Sequence, residues 1–130
     1  MMDSVRRHYY FRTNGDAFDA WDVDRLIALS RDLPVHEVPL ESITELDTQY
    51  WMGADGSSPT VRTLVRHMEL VNGADLTYPV ILGADGRVMD GMHRVAKSLL
   101  QGIPTVRVVQ FVEQPAPDHV GIAPEDLSYG

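Results

Sequence analysis

The sequence predicts an α+β fold: a single small domain with a mixed sheet and two or three helices. Three observations carry that expectation. The chain has 130 residues, the length of one domain able to bury an apolar core of its own. Short β-type runs, such as 78–82 and 104–112, alternate with stretches in which apolar side chains recur every three or four residues. The balance of 44% hydrophobic to 23% charged residues is that of an ordinary globular protein.

Taken in order, residues 5–13 are aromatic and β-prone and read as a strand that closes at the turn dipeptide Asn14-Gly15. Asp22 is placed to cap a helix with Val23, Leu26, Ile27 and Ser30 along one side, ending before Pro34. Residues 35–40 read as a strand, and Ile43 with Leu46 as one helical turn. Residues 52–58 are rich in glycine and serine and read as a mobile loop.

The second helix has the clearest signal. Ser58 is its expected cap and Pro59 its first residue, followed by Val61, Leu64, Val65, Met68 and Val71 at helical spacing and a stop at Asn72-Gly73. A strand over 78–82, a turn at Ala84-Asp85-Gly86 and a return strand over 87–89 come next. The third helix runs from about Met92 to Gln101, with Val95, Ala96, Leu99 and Leu100 inward and Gly102 as its stop. Residues 104–112 form the longest β-type run. Residues 113–130, with three prolines and four acids, read as an acidic tail that is disordered or draped on a partner.

Charge narrows the function classes. The formal net charge of −8 opposes the phosphate backbone of duplex DNA and makes DNA binding or nicking the least favoured reading. The charge is uneven: residues 61–112 carry +2 and the remainder −10. A small anion is therefore expected in the central region. The absence of cysteine excludes disulfides, thiolate zinc sites and thiol catalysis. The opening residues lack a signal-peptide stretch and no run approaches membrane-spanning length, so a cytoplasmic location with no membrane partner is expected.

The most informative segment is Gly86 to Ala96, which places an acid, an imidazole and a guanidinium around a glycine turn that opens a helix. Amides freed at a helix start, with an arginine beside them, suit a phosphate. Gly91, Met92, His93 and Arg94 are the expected phosphate-binding residues. Arg94 offers a bidentate fork, or alternatively an ion pair with Asp90. His93 is a candidate acid–base group or a structural histidine. Asp90 is the expected helix cap and also a candidate Mg²⁺ ligand and catalytic acid.

His67, Arg66 and Arg62 make a polar stripe on the second helix, read as a solvated face. Tyr50-Trp51-Met52 reads as core, or as a lid able to stack on a base. The five histidines contain no pair at metal-ligand spacing, so no structural zinc site is expected.

Tyr78-Pro79-Val80-Ile81-Leu82, Val88 to Lys97 and Gly102-Ile103-Pro104-Thr105-Val106 resemble the ParB/sulfiredoxin superfamily. Val35 to Ile43 also looks like the opening strand of that superfamily, so the resemblance spans 35–112 of a domain drawn over 1–112. It implies a ParB/sulfiredoxin-like fold and a nucleotide (CTP, ATP or ADP) with Mg²⁺. The sulfiredoxin reaction needs a cysteine where Met92 stands. Partition proteins continue into a helix-turn-helix DNA reader for which these 130 residues leave no room. Free serine kinases carry Asp-Gly-His-His-Arg, which Asp90-Gly91-Met92-His93-Arg94 resembles more. In that branch an acid follows the first strand, with Glu41 the nearest candidate and Glu37 the alternative. The resulting expectation is a nucleotide- or phosphate-binding domain, with phosphoryl transfer or nucleotide hydrolysis if it is an enzyme. The alternative is a non-catalytic regulatory or interaction module with a protein partner.

Overall fold

The computed structural model describes residues 9–51 and 59–123. It is an α+β domain with two sheets and three α-helices. Strand β1 (Tyr9–Asn14) turns at Gly15-Asp16 into β2 (Ala17–Asp22), and the two pair antiparallel from Tyr9↔Asp22 to Asn14↔Ala17. Gly15 takes φ +63°, the left-handed geometry that a two-residue hairpin requires. The sequence reading missed β2. Its aspartates, Asp19 and Asp22, argue against a strand, but Ala20 and Trp21 are buried and outweigh them.

Asp22 then caps α1 (Val23–Ser30) as expected, its side chain accepting from the Asp24 amide at 2.9 Å. Strand β3 (His36–Pro39) leads into two 3₁₀ turns, Leu40–Ser42 and Thr44–Asp47, which fold Leu40 and Ile43 into the core. Helix α2 (Val61–Asn72) is capped by Thr60, whose hydroxyl accepts from the Thr63 amide at 3.1 Å. Pro59 thus precedes the helix instead of starting it, and Ser58 lies outside the described residues along with the loop expected at 52–58. Strands β4 (Val80–Leu82) and β5 (Val88–Asp90), helix α3 (Met92–Leu100) and strand β6 (Thr105–Gln110) complete the second sheet.

That sheet has the order β3-β6-β4-β5, with β4 and β6 parallel and both outer pairs antiparallel. Its alternating residues feed two cores. Val80, Leu82, Val88, Val106 and Val108 join Met92, Val95, Leu40 and Ile43 on one side. Ile81, Met89, Val109 and Phe111 join Leu26 and Trp21 on the other.

The expected tail is part of the domain as far as residue 123. Strand β7 (His119–Ile122) pairs antiparallel with β2. Ahead of it, the Trp21 indole Nε1 donates to the Pro115 carbonyl at 2.8 Å, and the Arg25 guanidinium pairs with Asp118 at 3.0 Å. The tail is draped on this chain's own hairpin, because it supplies the acceptor for a buried indole and an anion for an exposed guanidinium. No helix among the described residues is long and apolar enough to cross a membrane.

Candidate functional site

The chain passes from β5 into α3 in one residue. Gly91 does this with φ +103°, and it caps α3 without any side-chain hydrogen bond. Asp90 remains at the end of the strand and is not the cap expected of it. Its Oδ2 instead lies 3.7 Å from Arg94 Nη1. A Cβ built on Gly91 would stand 2.7 Å from Arg94 Nη1 and 3.2 Å from the Val80 backbone, so the arginine folds against the bare glycine. The first amides of α3, those of Met92 and His93, have no partner within the helix. Met92 itself is buried in the core, so an anion would meet only its backbone.

His93 and Arg94 leave the helix in different directions, as successive residues about 100° apart must. Arg94 Nη1 donates to the Pro79 carbonyl at 3.1 Å, and its guanidinium lies 5.9 Å from the Tyr78 ring. His93 turns toward α2, where its Nε2 meets His67 Nδ1 at 3.0 Å. The two imidazoles are nearly coplanar (21°), and the Trp51 indole stacks on both, at 4.5 Å from His93 and 4.6 Å from His67. Burial first, then His67 and Arg94, lower the His93 pKa to about 4. Burial and the Arg66 charge also lower that of His67. At neutral pH the pair is therefore uncharged, one ring donating a single N–H to the other.

Sequence reasoning missed His67 as a member of this site and did not place Trp51 on the two histidines. His67 sits on a helix without a single buried residue, and His93 is 26 positions away, so only the packing of α2 on α3 brings them together. The Tyr50-Trp51 pair did signal a ring near the site, but nothing local told which partners it would choose. Tyr50 is structural, its hydroxyl donating to the Val88 carbonyl at 3.0 Å. Lys97, inside the resembling motif, donates to the Asn72 and Ala74 carbonyls at 3.0 and 2.7 Å and so ties off the end of α2. Glu41 is exposed in the first 3₁₀ turn and does not line the cavity beside Arg94, whereas Glu37 does. In comparisons with known proteins, the chain matches no family model, no curated protein and no solved structure.

Proposed function

We propose that this domain binds a phosphate carried by a nucleotide at the start of α3, with Gly91, Met92, His93 and Arg94 around the anion. The observation that carries the reading is the bare left-handed cap at Gly91 with the Arg94 guanidinium folded against it. Such a turn leaves the first amides of α3 without partners in the helix and holds a cation beside them. The neutral His93 adds a hydrogen-bonding group without adding charge. Trp51 offers a ring on which a base could stack in exchange for the imidazoles.

Asp90 fits the minimum that Mg²⁺ asks of a protein in such a site, one carboxylate beside substrate phosphates. Bound Mg²⁺ would neutralise phosphate charge, while Arg94 restrains the Asp90 carboxylate from 3.7 Å. Phosphoryl transfer or nucleotide hydrolysis, with Asp90, His93 and Glu41 or Glu37 as the acid–base groups, is the enzymatic form of this proposal. The resemblance to the ParB/sulfiredoxin superfamily supports the same ligand class.

Isothermal titration with CTP, ATP and ADP in Mg²⁺ tests the reading. Saturable binding of at least one nucleotide, weakened at least tenfold by Arg94→Ala, is the expected outcome. Absence of heat and of thermal shift with all three overturns it.

A second reading, a protein-interaction module, is favoured by one observation. Helix α2 buries none of its residues, and Val61, Leu64, Val65 and Met68 lie exposed beside Leu99 and Leu100 of α3. On that reading Leu64→Lys abolishes capture of a partner in a pull-down and Arg94→Ala leaves it intact; the reverse pattern counts against it.

A further inference from the structure

A cavity of about 210 Å³ opens on another face of α3, lined there by Arg94 and Ser98 and across from it by β6 and by the segment leading into β4. Two guanidiniums meet in it. Arg107 Nη1 donates to the Thr77 carbonyl at 3.0 Å and Arg94 Nη1 to the Pro79 carbonyl at 3.1 Å, so the two cations flank Tyr78. Each keeps most of its five N–H donors for other partners. Arg107 is held on Thr77 although its cross-strand neighbour on β3 is Glu37, which lines the same cavity and forms no ion pair with it.

Ser98 supplies the independent observation. It is 3% exposed and lines this cavity; its hydroxyl makes no hydrogen bond among the described residues and, because no buried side-chain oxygen there is left unpaired, that oxygen is open to the cavity. A hydroxyl open to the cavity can both donate to and accept from a ligand there. The floor is apolar, formed by Val80, Ile103 and Val106, which suits a carbon skeleton better than a bare ion. A volume of about 210 Å³ suits a compact acid.

We propose that this cavity binds a small hydroxy-monocarboxylate, its carboxylate between Arg94 and Arg107 and its hydroxyl toward Ser98 and Glu37. The guanidiniums match a carboxylate in charge and in planar, bidentate geometry. The Glu37 carboxylate, whose Oε1 accepts from Thr105 Oγ1 at 3.1 Å, is placed to accept a hydrogen bond from the ligand hydroxyl and to repel a second carboxylate. The site shares Arg94 with the phosphate site proposed above, and Glu37 with one enzymatic form of it.

Amide chemical-shift titration of the intact chain tests the assignment, with lactate and 3-hydroxybutanoate as ligands and propanoate, succinate, alanine and inorganic phosphate as comparators. The expected result is saturable binding of at least one hydroxy acid, with shifts centred on Ser98 and Arg107. Propanoate binds at least fivefold more weakly and succinate does not bind. Arg107→Met, which keeps the aliphatic stem, weakens binding at least tenfold. Ser98→Ala weakens it about threefold or more, and neither variant changes nucleotide affinity. Saturation by none of the acids overturns the proposal, as does binding unchanged in both variants. Equal binding of phosphate, or tighter binding of alanine, overturns the hydroxy-acid assignment. Nucleotide titration of the same samples reports separately on the phosphate site.

Discussion

Gly91 carries two constraints at once. Its φ of +103° disfavours any residue with a Cβ, and such an atom would press on both Arg94 Nη1 and the Val80 backbone. Gly91→Ala is therefore expected to cost roughly 1–3 kcal/mol in urea unfolding and to displace the guanidinium as well. A variant as stable as the parent would show that the turn relaxes freely. That a glycine belongs here is legible in the sequence, because a strand turning straight into a helix needs it. That Asp90 is not the cap is not legible: aspartate is a common cap, and only the backbone path shows that it stops one residue early.

His93 makes a second prediction at this scale. Free histidine takes its proton near pH 6.5, whereas this one does so near 4, chiefly because it is buried. Between those values the unfolded chain binds more protons than the folded one, so stability falls as pH drops from about 6.5 to about 4. His93→Gln should flatten that part of a plot of Tm against pH. An unchanged slope would place the dependence on other groups.

Among the elements, the segment around β7 departs most from expectation. Its prolines and acids suggest a tail that is disordered or draped on a partner, yet those residues bind β2 and α1. Local composition hides this, because the contacts that decide it lie more than 90 positions away. Asp118 both pairs with Arg25 and accepts from the Asp22 amide at 2.8 Å. Asp118→Ala is expected to lower unfolding stability by about 1–2 kcal/mol, and an effect within experimental error would return the segment to the status of a tail. By contrast α1, α2 and α3 are legible from apolar periodicity, and α1 and α3 start within a residue of where their signals place them. The exception is the start of α2, where Pro59 and Ser58 outbid the true cap, Thr60, because all three residue types favour helix starts.

For the whole molecule, the sheet is readable because its strands are short apolar runs in the right order, while the site is readable only in part. Motif residues cluster in sequence and are found there; His67 and Trp51 join them through the packing of distant elements, which a single sequence does not encode locally. The overall charge of −8 supports a further expectation: a gel-shift with duplex DNA shows no retardation even at low salt. Tight duplex binding there would mean that the central positive region dominates.

The chain contains two tryptophans, and the sheet separates them. Trp21 is packed into one core, with its indole N–H on Pro115, and Trp51 lies against the other, over the imidazole pair. Each face of the sheet thus has its own intrinsic fluorophore. Trp21→Phe leaves a chain whose emission reports only on the α2–α3 side, and Trp51→Phe one that reports only on the hairpin side. Comparing their unfolding curves measures whether the two halves melt as one cooperative unit or in sequence.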